Sequence, residues 1–190
     1  MKLLITNGSG EILKILLLTT LLILVVACGE ETSSNAENTP LEKITNEIGI
    51  YTIEDFKNTG FKINKEYDVD ELEGSIGVWF GFWKNNLNKA LDYEIRIYPS
   101  QQLALDKGLN YVEEVIGEDA ILRKSLSSWK EGLQDRRTRS DFSMRGSEAN
   151  AIRAKYLDYI VYGNTIILCT GLDLTYARQN CSDLANSLNK

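Results

Sequence analysis

The chain has 190 residues, a formal net charge of −6 and no histidine. The lack of histidine excludes Ser–His and Cys–His nucleophile pairs, histidine-ligated zinc and the commonest general base. The acidic balance argues against general nucleic-acid binding, because that activity needs a basic surface.

The first predicted element is an apolar segment, Ile12 to Ala27, in which Lys14 is the only charged residue. About thirteen residues separate Lys14 from Cys28, fewer than the roughly 17 to 25 that a membrane-spanning helix needs. An apolar core of this length behind a positive residue is typical of a signal peptide.

The apolar segment ends in LVVACG, residues 24–29, which resembles the lipobox of bacterial lipoproteins. That motif consists of an aliphatic residue, a tolerant position, a small residue and the cysteine that receives the lipid. The resemblance implies that residues 1–27 are a lipoprotein signal peptide and that Cys28 is acylated. Because two or more acyl chains anchor stably, we expect a membrane-bound protein on the extracytoplasmic side, in the periplasm or on the cell surface. The alternative is an uncleaved membrane anchor with an incidental cysteine.

A polar stretch follows the lipobox. From Gly29 to about Asn46 it is rich in Glu, Ser, Thr and Asn and has few apolar residues, so burial cannot offset its ordering entropy. We therefore predict that residues 28–48 form a flexible tether. Without residues 1–27, which hold two lysines and one glutamate, 19 basic and 26 acidic residues remain, a net charge of −7. Residues 49–190 are predicted to form one domain around a single core.

The first half of this domain is predicted to contain a helix, a hairpin and a second helix. Thr52 to Asn58 has an N-cap residue and precedes Gly60, which indicates a short helix. Ser75 to Trp83 and Tyr93 to Tyr98 both alternate with period two, which indicates the strands of an antiparallel hairpin. Ser100 to Ile116 carries an apolar stripe at helical spacing and is predicted to be a capped helix.

The last third repeats this plan. Tyr156 to Tyr162 and Thr165 to Thr170 are predicted strands joined by Gly163-Asn164, a two-residue turn that needs positive φ. Leu174 to Leu188 is predicted to be the closing helix. The order predicts an α+β domain, an antiparallel sheet of about four or five strands with helices packed on one face. Two ββα halves related by a pseudo-dyad are a further interpretation of the same pattern.

Two cysteines remain once Cys28 is assigned to the lipid. Cys169 ends a predicted strand and Cys181 lies on the buried face of the helix that returns from it, so a disulfide bond is geometrically reasonable. Exported proteins form such bonds readily. We therefore predict a Cys169–Cys181 disulfide, with two buried reduced thiols as the alternative.

Catalytic and metal-binding motifs are scarce. The chain has no Walker loop, no GxGxxG and no GxSxG. Ser127 to Lys130 matches the S-x-x-K of penicillin-binding enzymes, but the companion S-D-N and K-T-G motifs are absent. The acidic run Asp68 to Gly74 has oxygen ligands at alternate positions, as calcium prefers, yet Leu72 and Trp79 occupy places where an EF-hand needs ligands. We favour a solvated loop there and predict no catalytic residue, no metal and no cofactor.

One candidate binding surface is aromatic. Trp79, Trp83 and Tyr98 are predicted to lie on strand faces opposite the aliphatic residues. If that face is uncovered, the three rings form a patch suited to a ring, a glycan or a partner protein. If further chain covers it, they belong to the core.

The second candidate surface is basic. Residues 123–155 carry five more basic than acidic residues in an otherwise acidic domain. Arg136, Arg137 and Arg139 are its densest part and would meet lipid headgroups or another anionic partner. The alternative is a solvated loop whose cations pair with nearby acids.

Residues 93–100, YEIRIYPS, and 162–169, YGNTIILC, are similar to segments of uncharacterised bacterial lipoproteins with a domain of unknown function. This resemblance implies no activity. We expect a non-catalytic binding module at the cell envelope, anchored to the membrane through Cys28, with an anionic surface, a small molecule or an envelope protein as its partner. The alternative is an envelope enzyme that uses Asp, Glu, Lys or Tyr, which a deep pocket with convergent carboxylates would favour.

Overall fold

A computed structural model describes residues 39–139 and 152–189 of the chain. The predicted signal peptide, the predicted lipidation site Cys28 and the first part of the predicted tether lie outside the described residues. Seven strands are present in the described ranges, and five of them form one antiparallel sheet in the order β1-β2-β3-β7-β6. The strands are β1 (Lys62–Tyr67), β2 (Gly77–Lys84), β3 (Ala90–Ile97), β4 (Arg137–Arg139), β5 (Ile152–Ala154), β6 (Asp158–Tyr162) and β7 (Thr165–Cys169). Strands β4 and β5 pair separately.

Three helices in the described ranges pack against the main sheet. Helix α1 is Ile53–Asn58 and helix α3 is Leu174–Ser187. Helix α2 begins with Gln101–Leu103, continues through the π-helical turn Ala104–Gly108 and ends with Leu109–Glu113. The predicted cap is present, since the Ser100 side chain accepts a hydrogen bond from the Leu103 amide. The α+β class and the five-stranded antiparallel sheet are therefore confirmed.

The helices lie on both faces of the sheet, whereas the sequence analysis placed them on one. Alternate residues of β7 show this: Ile167 and Cys169 share a core cluster with α1 and α3, and Ile166 and Leu168 share another with α2. Every residue of β6 and β7 is buried. A strand that is apolar on both faces needs cover on both, so α2 packs opposite α3.

Each hairpin is followed by a helix, as in the predicted ββα halves. Strands β2 and β3 precede α2, strands β6 and β7 precede α3, and β3 pairs with β7 in an antiparallel manner. A two-fold axis perpendicular to the sheet would relate two such hairpins but would leave both helices on one face. Because α2 and α3 occupy opposite faces, this pseudo-dyad does not extend to the helices.

Part of the predicted tether is ordered. The Thr45 amide donates to the Val161 carbonyl and the Val161 amide donates to the Lys43 carbonyl, over 3.0 and 2.7 Å. Leu41 packs against the core, and its amide donates to Ser182 Oγ. The tether boundary at residue 48 therefore needs correction, since the described chain already packs on the domain from about residue 41. Composition misses this contact because it depends on backbone groups that pair with the edge of β6.

The predicted disulfide links β7 to α3. Cys169 and Cys181 are bonded, with their Cα atoms 5.6 Å apart and twelve positions apart in sequence. Both side chains are fully buried within the core cluster beneath α3. The bond therefore holds the last helix on the sheet.

Loss of this bond should be measurable as loss of stability. A Cys169→Ala/Cys181→Ala variant is expected to unfold with a free energy about 3 kcal/mol below that of the wild type, because the short loop no longer restricts the unfolded chain. Alkylation of the denatured wild type should add mass at these residues only after reduction. Equal alkylation without reductant would contradict the bond, and the Cys169→Ala single variant, which frees the Cys181 thiol, calibrates the labelling.

Candidate functional site

The predicted aromatic patch is not a surface. Trp79 and Trp83 are 8% exposed and Tyr98 is fully buried. The two tryptophans pack with Phe56 of α1 and with Phe61, whereas Tyr98 lies on the opposite side of the sheet beneath α2. The prediction that these three rings form a binding surface is therefore wrong. They are core residues because α1 and α2 cover both faces.

Arg136 is also buried, contrary to the prediction of an exposed cation. Its Nε donates to Glu94 Oε2 over 2.7 Å and its Nη2 donates to Glu94 Oε1 over 3.1 Å. Its Nη1 donates to the Glu131 carbonyl over 2.7 Å. Arg136 thus cannot meet an anionic partner at the surface, because Glu94 already holds its guanidinium in the interior.

A second arginine shares the same carboxylate. Arg96 Nε donates to Glu94 Oε1 over 2.8 Å, and the side chains of Glu94, Arg96 and Arg136 are all 0% exposed. We call these three residues the charge cluster. Burial opposes ionisation of Glu94, but the guanidinium groups of Arg136 and Arg96 outweigh it and hold the pKa of the carboxyl below its ordinary value. The cluster therefore carries two positive charges against one negative charge.

An indole covers the charge cluster. The Trp129 ring centroid lies 4.3 Å from Arg136 Cζ and 5.1 Å from Arg96 Cζ, both within cation–π range. The Tyr67 ring meets the indole edge to face, with centroids 6.2 Å apart. The S-x-x-K motif thus serves packing, because it contains this buried Trp129, and its Ser127 hydroxyl donates to the Ile121 carbonyl.

A groove of about 440 Å³ lies beside the charge cluster. It runs between β1 and residues 124–137 and is lined by Lys65, Tyr67, Lys124, Lys130, Asp135 and Arg137, among others. The Tyr67 hydroxyl donates to Asp135 Oδ2 over 2.9 Å, and Lys65 Nζ donates to Oδ1 over 2.7 Å. Burial opposes ionisation of Asp135, but these two donors hold its pKa below the ordinary value. Tyr67 lines the groove and also contacts the charge cluster, since its ring lies 5.7 Å from Arg136 Cζ.

A glycine turn joins the groove to the charge cluster. Gly132 has φ +68°, and a Cβ there would lie 2.7 Å from the Tyr67 ring and 3.0 Å from Arg136 Nη2. Only glycine allows both this backbone conformation and this close approach. The wall of the groove therefore lies directly against the buried arginine.

Arg136 and Arg137 are in different environments. Arg137 is half-buried and lines the groove, and its guanidinium donates to Gln134 Oε1 and to the Leu122 carbonyl. Arg139 ends β4, and its side chain lies outside the described residues. Lys124 and Lys130 are exposed at the groove and make no ion pair with any residue in the described ranges. At the groove, the basic segment therefore presents these two lysines to solvent.

The acidic run Asp68 to Gly74 is anchored by packing. Leu72 is buried beside Val78 and Trp129, and Glu73 pairs with Lys107 of α2. In residues 39–139 and 152–189, no three acidic or cysteine side chains are arranged to hold a metal ion. The run therefore includes one buried apolar anchor that its composition conceals.

Glu94 and Arg96 were missed by the sequence analysis. In Tyr93 to Tyr98 they alternate with apolar residues, and that pattern is typical of a half-exposed strand. Their strand is instead central, with β2 on one side and β7 on the other, and Arg136 and Trp129 of the segment before β4 cover its polar face. One signal could have indicated that Glu94 and Arg96 are buried. The strands on either side of β3 are the aromatic-rich β2 and the apolar β7.

Comparison with known proteins gives a family without a described activity. Residues 52–190 match the model of DUF6810, a family of unknown function. No curated protein and no solved structure matches the chain. None of the helices in the described ranges is long and apolar enough to cross a membrane.

The charge cluster predicts that two substitutions lower the free energy of unfolding by different amounts. Glu94→Gln leaves two buried cations without a counter-charge and is expected to lower the free energy of unfolding by about 3 to 5 kcal/mol or more. Arg136→Met leaves a neutral Glu94–Arg96 pair and should cost less. Urea unfolding measures both, with the exposed Glu66→Gln as a control expected within about 0.5 kcal/mol of the wild type. A Glu94→Gln variant as stable as this control would contradict the assignment.

Proposed function

This chain belongs to the DUF6810 family, and we propose that it is an exported lipoprotein of the cell envelope. In this proposal Cys28 carries the lipid and faces the extracytoplasmic side. The folded domain acts there as a non-catalytic binding module that takes an anionic group in the groove beside β1.

Two independent features support export. The first is the lipobox-like segment at residues 24–29, which ends an apolar run of signal-peptide length. The second is the Cys169–Cys181 bond, because structural disulfides persist in oxidising compartments and are rare in the cytosol. The same environment outside the cytoplasmic membrane accounts for both features.

The observation that carries the binding proposal is the excess of basic over acidic side chains at the groove. Four basic residues and three acids line it, namely Lys65, Lys124, Lys130 and Arg137 with Glu66, Glu131 and Asp135, and Asp135 is already satisfied by Lys65 and Tyr67. Lys124 and Lys130 are exposed and have no acidic partner in the described part of the chain. Cations in this state favour an anionic group such as a lipid headgroup.

The enzyme alternative is less well supported. The Lys65, Tyr67 and Asp135 side chains form the only hydrogen-bonded acid–base set found along the groove in the described ranges. Burial raises the pKa of Tyr67 well above its ordinary value, and the two donors lower the pKa of Asp135. The pKa of neither group is thus shifted towards neutral pH, where a general acid or base works best.

The anchor is tested by Cys28→Ala. The variant is expected to lose lipid attachment and to accumulate as a longer, unprocessed or soluble form, because the acylated thiol is absent. Mass spectrometry of the membrane fraction measures this, and Ser33→Ala in the same polar stretch is the control that should remain lipidated. An unmodified Cys28 in mature wild-type protein would rule out the anchor.

The groove is tested with vesicles and an unlipidated chain, residues 28–190 carrying Cys28→Ser. Each basic residue near an anionic surface contributes about 1 kcal/mol, so Lys124→Gln/Lys130→Gln should weaken co-sedimentation with phosphatidylglycerol vesicles by roughly 30-fold. Added salt should weaken the parent chain in the same direction.

The matched control removes two other exposed lysines. Lys84→Gln/Lys89→Gln makes the same change of charge at the opposite end of β2 and is expected to leave vesicle binding close to that of the parent. Equal, salt-insensitive sedimentation of all three chains, or equal losses in both double variants, would contradict binding through the groove.

A further inference from the structure

Four buried donor groups around Arg96 have no hydrogen-bond partner in the described part of the chain. They are Arg96 Nη1, Arg96 Nη2, Tyr98 Oη and Trp129 Nε1. Arg96 and Tyr98 are fully buried, and Trp129 is 2% exposed. Guanidinium and indole N–H groups can only donate, whereas the Tyr98 hydroxyl can donate or accept. The region therefore has more donors than acceptors.

The four groups lie close together. Arg96 and Tyr98 are two residues apart and point to the same face of the sheet. The Trp129 ring lies over the Arg96 guanidinium, with 5.1 Å between its centroid and Cζ. Burial raises the pKa of Tyr98 and the Arg96 cation opposes this rise, as expected of a hydroxyl near that cation. Arg96 is thus the centre of the group.

The charge cluster is short of negative charge as well as of hydrogen-bond acceptors. Glu94 is the single anion of the charge cluster, and it accepts from both Arg96 and Arg136. One positive charge therefore has no counter-ion among the described residues in contact with the cluster. An uncompensated buried charge is costly, so a ligand that is both negative and purely accepting would correct both deficits at once.

We propose that Arg96, together with Trp129 Nε1 and Tyr98 Oη, binds a small monovalent anion of the halide class, with chloride as the ordinary occupant. A single negative charge neutralises the cluster, whereas phosphate or sulfate would reverse its sign. Complete burial of the three side chains also favours an ion about the size of one water molecule. This site is separate from the groove and does not depend on the proposed anionic ligand there.

The first test measures stability in chloride and in gluconate, a monovalent anion too large for a buried site, with the unlipidated chain of residues 28–190. At constant ionic strength, the urea midpoint is expected to rise as chloride replaces gluconate and to level off at saturation. A ligand that binds only the folded state lowers the unfolded fraction about tenfold when present at ten times its Kd. A wild-type midpoint equal in both salts would overturn the proposal.

The second test uses a matched pair of variants. Arg96→Met removes the uncompensated charge and leaves a neutral Glu94–Arg136 pair, so its urea midpoint should not depend on chloride. Lys62→Met makes the same change of charge at an exposed position on β1 and should keep the wild-type dependence. Chloride dependence that persists in Arg96→Met would place the effect elsewhere and overturn the assignment.

The third test remains decisive if Arg96→Met fails to fold. Crystals of the wild type grown in bromide should show an anomalous peak within contact distance of Arg96 Nη1 and Nη2. An ordered water at that position, with no anomalous signal, would show that the donors are satisfied by solvent and would overturn the anion site.

Discussion

The ion pairs of Glu94 connect the sheet to the chain that forms the groove. Glu94 lies in the middle of β3, between Phe80 of β2 and Leu168 of β7. Through Arg136 it holds the segment before β4, and Arg136 in turn binds the Glu131 carbonyl of the same segment. Buried ion pairs are weak evidence of net stability, since desolvation opposes the attraction. Their effect here is geometric, because one carboxylate fixes where this segment crosses the sheet.

Local signals made much of the fold predictable. The Ser100 cap and the alternation in β2 act through neighbouring residues, and both appear in the structure. The pairing of Cys169 with Cys181 was also within reach because the two are close in sequence. Strand β1 was not predicted, since KINKEY is polar at most positions and its residues are exposed except Tyr67.

The candidate site was less predictable because its chemistry depends on non-local contacts. Counting charges found the basic segment but gave no means to tell buried Arg136 from exposed Lys130. The partner of Arg136 is Glu94, 42 positions earlier in the chain, and a strand pattern makes such a residue look solvated. Similarly, the aromatic residues of β2 could be assigned to surface or core only after the positions of α1 and α2 were known.

The order of the strands also governs when the domain can complete folding. The central pair joins β3 to β7, whose partner residues Ile95 and Ile167 are far apart in sequence, and long-range pairing of this kind is slow. The two ends of the described chain meet as well, since the Leu41 amide donates to Ser182 Oγ of α3. An emerging chain can form the hairpin of β2 and β3 early, but its centre stays open until the last third has been synthesised. Completion of the sheet is therefore a late event in the life of the nascent chain, and it draws both ends of the domain together.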